Sequence, residues 1–417
     1  MSEPGVVESS LGRWARNAVL LWGVIACQKL AAFAFQIGLG RRGGFAALGV
    51  VATIGTASTF TASFSSLGLA DRAMYRAADA RSTDRAPDDT VGTGHGLYLG
   101  LAALGFALLA ASVPWVVTDA ALRPLAWSLV LGAFASHVGA YSIAALRGFG
   151  EPRRETLATL VTSAVLALAA ATHVGVRALG LTSAATGLLT LAIVGSAMRT
   201  RTWLRPAGGA VREILRDAQR AVPYLAVGTG CVLLGGADIL LARLAGGATD
   251  TGVLQCATAV VRAGLYGPWM FGALLVHRVR RHVRERGKVP RVPLVAFGVA
   301  LGLIASVGAW VTMPWVLRAY GVPVARVLPS ETVSLLTAPT GYVALLLLPV
   351  ATGLAPLRAA VSMCIALIAA FTAGSVLAPR LGVPGAIIAC AMGYLTLTVA
   401  LLTVVMGGSV REDAEAG

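Results

Sequence analysis

Three ionisable residues stand deep inside long apolar runs: Lys29, Asp238 and Arg262. A charge at the centre of a membrane-crossing helix costs about 2.5–3.5 kcal/mol on insertion scales, so three cost roughly 8–10 kcal/mol unless they pair or face water. Two chemistries follow. Asp238 can pair with Lys29 or Arg262 as a buried bridge. Alternatively, the three line a polar lumen. Lys29 is conspicuous because, apart from Lys288, every basic residue is arginine. Lysine gives up its charge on burial far more readily than arginine does. Lys29, Phe33 and Gln36 share one helical face, flanked by Gln28, while Gln255 and Arg262 share another.

Weaker polar signals surround these. Thr56, Thr59, Ser63 and Ser66 form one helical face, suited to a lumen or to ordinary packing between membrane helices. Gly267-Pro268, Pro314, Pro339, Gly341 and Pro349 interrupt later spans, as hinges of transporters do. Catalysis has little to stand on. His95, His137, His173, His277 and His282 lack metal-ligand spacing; His137 alone lies mid-span and reads as a hydrogen-bonded packing residue. Cys27, Cys231, Cys256, Cys364 and Cys390 all lie in apolar runs without a paired motif, so they read as small packing residues. No phosphate-cradling loop occurs. An enzyme is not expected, and neither is a cofactor or metal; H+ and Na+ both remain open as coupling ions.

The elements that must position these groups are membrane helices. The chain is 57% hydrophobic and only 13% charged, and its apolar runs of about 20 residues match a bilayer core of about 30 Å. The fold class is therefore an all-α polytopic membrane protein. Twelve spans are expected: 17–39, 43–69, 95–117, 124–146, 156–176, 181–198, 221–245, 252–276, 293–317, 330–353, 359–378 and 385–407. Arg13 and Arg16 precede a run longer than a signal core, so the first span is expected to be retained. With the N-terminus inside, 24 of the 34 Lys and Arg residues fall in inside connections and 8 on the outside. That asymmetry places both termini in the cytoplasm and the protein in the cytoplasmic membrane. The net charge of +15 is accounted for by loops facing anionic membrane lipids, without nucleic acid as a partner.

The spans divide into two six-helix lobes, 1–198 and 221–407, around a central cleft. Residues 199–220 join them, with 207–220 forming an amphipathic helix along the inner surface, and 408–417 form a short tail. Arg177–Leu189 and Pro379–Gly393 each place Leu-Gly and small residues at the opening of a late span. This suggests a parallel six-helix duplication.

Several stretches resemble the polysaccharide and oligosaccharide-lipid flippases of the multidrug/oligosaccharidyl-lipid/polysaccharide (MOP) exporter superfamily. They are LGRRGGFAALGV (39–50), SLGLADRAMYRAAD (66–79), ALRGFGEPRRETL (145–157), ADILLARLAGGATDTGVLQCATAVVR (237–262) and APRLGVPGAIIACAMG (378–393). The resemblance implies two lobes opening alternately and a lipid-linked saccharide as the flipped substrate, with envelope polysaccharide assembly proteins as possible partners. It implies that Lys29 and Arg262, with Gln28 and Gln255, attract the anionic headgroup. Arg72, Arg76, Arg147, Arg153 and Arg154 would stand at the cytoplasmic mouth, and Asp238 would serve as a coupling or charge-pairing group. The alternatives are a cation-coupled small-molecule exporter of the same superfamily, which would favour acidic lumen residues, and a membrane enzyme of envelope saccharide assembly.

Overall fold

The computed structural model describes residues 4–70, 73–74, 89–148, 153–172, 175–198, 211–286, 291–321 and 323–407. Every regular element among them is helical. The first half comprises α1 (Pro4–Ser66), α2 (Asp89–Val116), a 3-10 turn (Ala120–Leu122), α3 (Arg123–Gly148), α4 (Arg153–Ala171) and α5 (Val176–Met198). The second half comprises α6 (Val211–Gly235), α7 (Ala237–Arg286), α8 (Arg291–Tyr320), α9 (Val324–Leu354), α10 (Pro356–Leu381) and α11 (Val383–Gly407). Eight helices among the described residues are long and apolar enough to cross a membrane. The count becomes nine if Val222–Gly235 and Ala237–Arg262, bent by 42° at their junction, form one span.

Two helices are too long for one crossing. At 1.5 Å per residue, the 63 residues of α1 extend to roughly 95 Å, about three times the hydrocarbon thickness. The helical path breaks at Gly44, where φ is 60° and ψ −159°, and a Cβ on Gly40 would meet the Leu48 side chain, so the two arms fold toward each other. The 50-residue α7 reverses at Gly247, with φ 77° and ψ −159°. That region of backbone space is essentially glycine's alone. Each helix is thus a hairpin of two arms with a glycine at its tip, close to where the first and seventh expected spans end.

Other expectations shift. The surface helix expected at 207–220 is not a separate element: from Val211 the backbone is continuous with the apolar helix to Gly235. The Leu-Gly pairs at 179–180 and 381–382 are not equivalent. Leu179 and Gly180 lie inside α5, whereas Gly382, at φ 62°, separates α10 from α11.

The two hairpin tips pack on each other reciprocally. A Cβ on Gly49 would collide with the Ala248 carbonyl, and one on Gly252 with the Phe45 carbonyl. Residues 45 and 49 in the first hairpin hold the places of 248 and 252 in the second. The largest apolar core extends from this junction: Phe35, Leu39, Leu48 and Ile54 pack with Leu241, Leu254, Met313 and Tyr320. Trp115, Trp127, Trp310 and Trp315 are exposed near the same end, the arrangement of an aromatic belt at a membrane–water interface.

Candidate functional site

At the hairpin end, side chains from the two halves close over one another. Gln255 donates from Nε2 to Gln36 Oε1 at 3.1 Å, and the Tyr320 hydroxyl donates to the same oxygen at 3.1 Å. Phe33 meets the edge of Tyr320, with ring centroids 5.8 Å apart. Arg41 Nε donates to the Ala319 carbonyl at 2.6 Å, and Arg243 donates to the Val116 carbonyl. Arg326 lies 4.0 Å from Asp250 and 5.5 Å from the centre of the Phe45 ring. Each contact joins the first half to the second, except Arg326–Asp250, which holds Arg326 over Phe45. Arg42 donates to the Gly38, Ala170 and Thr172 carbonyls. It thereby satisfies carbonyls left open at the C-terminus of α4, where a cation is favoured.

Away from that seal, a cavity of about 540 Å³ lies between the halves. Its walls are Thr56, Phe60 and Ser65 of α1, Leu101 and Leu108 of α2, and Leu233 and Leu240 across the divide. Among the described residues, none that lines it is ionisable. Its volume suits a drug-sized ligand, and its surface suits an apolar or amphipathic one. Of the hydroxyl stripe, Thr56 faces this cavity and packs on Gly236, whereas Thr59 and Ser66 bond back to the Gly55 and Ser63 carbonyls.

The buried charges gather elsewhere. Arg262 Nη2 lies 2.5 Å from Asp238 Oδ1, with 21% and 8% of their side chains exposed. The pair joins the two arms of α7 within the second half. It sits beside a cavity of about 50 Å³ lined by Thr258, Ser334, Thr337, Cys390 and Tyr394, large enough for water but not for a sugar. Asp238 Oδ1 also accepts from the Ile239 amide at 2.9 Å.

The structure therefore brings Asp238 and Arg262 together, and places Gln255 in the seal with Gln36 rather than free in a lumen. Gln28 and Lys29 are exposed on the first arm of α1. Arg72 and Arg76 lie outside the described residues, and the side chains of Arg147, Arg153 and Arg154 also lie outside the described portion. Sequence reasoning missed Glu331, buried in α9, and the contacts that Tyr320, Arg41 and Arg326 make across the two halves. Basic residues near helix breaks carry no sign of what they will touch; only Gln36, seven residues beyond Lys29 on the same face, hinted at the seal. His137 is hydrogen-bonded, as expected of a buried histidine. Among the described residues no group of three or more His, Cys, Asp or Glu could hold a metal ion.

No family model matches this chain, and no curated protein matches it. Solved structures do. A multidrug resistance MATE family transporter of the MOP superfamily in an inward-facing conformation has a TM-score of 0.69 at 16% identity, covering 91% of this chain and 94% of that one. An outward-facing conformation of a MATE family transporter gives 0.66 at 15%, covering 94% of each chain. A MOP superfamily transporter from Pyrococcus furiosus, described as having a binding pocket of reverse polarity, gives 0.61 at 16%, covering 94% of each.

These likenesses correct the flippase resemblance and, with it, the lipid-linked saccharide and the envelope assembly partners. The solved structures sharing the fold are MATE-type multidrug transporters. The physical reason is visible in the site. A pyrophosphate headgroup needs unspent cations in a roomy lumen, but Arg262 is committed to Asp238 and no described residue lining the large cavity is ionisable. The chain has the fold of MOP-superfamily MATE transporters, in a form closed at the hairpin end.

Proposed function

We propose that this protein is a cation-coupled exporter of small apolar or amphipathic molecules, working by alternating access in the cytoplasmic membrane. One observation carries the reading: a drug-sized apolar cavity between two halves that close over each other at one end. Such a seal has to open and a second one form for a molecule to cross, which is the requirement of alternating access. The MATE fold supports the same assignment.

Twelve crossings in two lobes, 1–198 and 221–407, follow from this reading. The glycine turns that split α1 and α7 support it, as does the bent junction at Gly236. The bias of Lys and Arg supports both termini inside, so the sealed hairpin end faces outward and the cavity is reached from the cytoplasm or the inner leaflet. Arg72, Arg76, Arg147, Arg153 and Arg154 then stand at the inner mouth. Gln28 and Lys29 face the lumen on the first arm, and Asp238–Arg262 acts as a charge pair that fixes the arms of α7.

The test is efflux from proteoliposomes loaded with ethidium, a fluorescent lipophilic cation, and with Hoechst 33342, an amphipathic bis-benzimidazole dye. Efflux stimulated by an imposed H+ or Na+ gradient is expected for at least one dye. Neither dye moving under either gradient, with correctly oriented and folded protein, would overturn the assignment.

A further inference from the structure

We infer that His137 is the proton-carrying group of this transporter, and that Ser65 relays its charge state to the wall of the substrate cavity. The inference rests on the exporter reading and names the coupling ion and the residue that holds it.

The argument is a count of hydrogens. His137 is 9% exposed in α3, and both ring nitrogens are engaged: Nε2 lies 3.1 Å from Ser65 Oγ, and Nδ1 lies 2.9 Å from the Tyr98 hydroxyl. Each hydroxyl has one proton to give. The Tyr98 hydroxyl also lies 2.7 Å from the His137 carbonyl, and Ser65 Oγ lies 2.7 Å from the Thr61 carbonyl. With the hydroxyl protons directed to those carbonyls, both oxygens face the ring as acceptors. A ring that satisfies both must donate from both nitrogens, which only the imidazolium does. When the ring is neutral, one nitrogen is bare. Either Ser65 or Tyr98 must then turn its proton from the backbone to the ring.

Protonation and a hydroxyl rotation are thus one event; where Nε2 is the bare nitrogen the hydroxyl that turns is Ser65, which lines the cavity of about 540 Å³. The cluster lies away from the hairpin seal, near the C-terminal end of the second arm of α1. The groups around the ring are Ser65 from α1, Tyr98 and Phe106 from α2, and Tyr141 of α3, which stacks on Tyr98 and on His95. From α5, packed against α3 around Gly132 and Gly139, the approaching residues are Ser183, Gly187, Thr190 and Leu191. The titratable neighbours are therefore Tyr98, Tyr141 and His95, and no carboxylate or guanidinium among the described residues pairs with the ring. Charge is held there by acceptors alone, so small changes in hydration or hydroxyl orientation move the proton.

The test uses the full chain in nanodiscs with 15N-labelled histidine, the His137 signals being assigned by their loss in His137→Gln. Both ring nitrogens are expected to be protonated at the acid end and one bare at the alkaline end, between about pH 4 and about pH 9. Ser65→Ala and Tyr98→Phe each remove an acceptor of the charged ring, and each should move the midpoint down by about one pH unit. A ring that keeps one neutral form throughout, or a midpoint indifferent to both substitutions, overturns the inference. In proteoliposomes, His137→Gln should retain downhill dye movement and lose its stimulation by a pH gradient. Full stimulation in that variant also overturns it while leaving the exporter reading intact. The NMR measurement needs no substrate, so it judges His137 even if the exporter reading fails.

Discussion

Asp238 and Arg262 tie the two arms of α7 together through a single short contact. Deleting one partner leaves the other charge in a largely apolar setting, which costs more than the pair itself contributes. Asp238→Asn is therefore expected to lower stability by about 3 kcal/mol, the lower end for a buried pair because Arg262 retains some exposure. Replacing both, Asp238→Asn with Arg262→Gln, should recover much of that loss. Thermal unfolding in detergent measures both; equal losses in the single and double variants would mean the residues act independently. This pair was legible in the sequence, since an apolar span cannot carry an aspartate and an arginine without reconciling them. Its partner choice was not: Lys29 and Arg262 were equal candidates until the reversal at Gly247 brought the arms of one helix face to face. Tyr320 was illegible for a related reason. Nothing in an apolar helix end marks the tyrosine whose hydroxyl will find a glutamine from the opposite half.

At the level of elements, the hairpin tips depend on two glycines rather than on a turn motif. Gly247 has φ 77°, and a methyl group added there would meet nothing within 4 Å, so any cost of Gly247→Ala is backbone strain and not collision. That cost should be about 1–3 kcal/mol. Gly55 also has open space around its Cβ position but lies in a helical arm without positive φ, so Gly55→Ala should be neutral or stabilising by up to about 1 kcal/mol. Melting temperatures of the two variants, measured side by side, separate strain from packing; a harmless Gly247→Ala would mean the tip can adopt another turn. The sequence located these reversals to within a few residues because apolar runs ended there and small residues clustered. It misread the later Leu-Gly repeat, because Leu-Gly is compatible both with a helix interior, as at Leu179-Gly180, and with a break, as at Gly382. Composition constrains where helices run far more tightly than where they end.

At the scale of the whole molecule, the question is whether the hairpin end opens during work. The seal combines polar contacts and a glycine-to-carbonyl approach with the apolar core that both halves share at this junction. Gln255 and Tyr320 both donate to one Gln36 oxygen, so water can replace these few hydrogen bonds, each worth about 1 kcal/mol net, while the apolar contact between the halves has to be exchanged for contact elsewhere. Such a closure reverses when a second packing of the halves offsets the lost apolar contact and ligand or ion binding sets the balance between the two. Bridging it covalently should therefore stop transport without disturbing the fold. In a background freed of the five native cysteines, Gln36→Cys with Gln255→Cys, joined by a short reducible dithiol reagent, is expected to abolish gradient-driven dye efflux. Reduction should restore it to the level of the unlinked double variant, and the reagent should cause no further loss in either single-cysteine variant. Dye would still be expected to bind the cross-linked protein, because the cavity lined by Phe60, Leu101 and Leu240 lies away from the bridge. Undiminished efflux from fully cross-linked protein would mean that the halves never part there, and a carrier sealed permanently at one end cannot alternate.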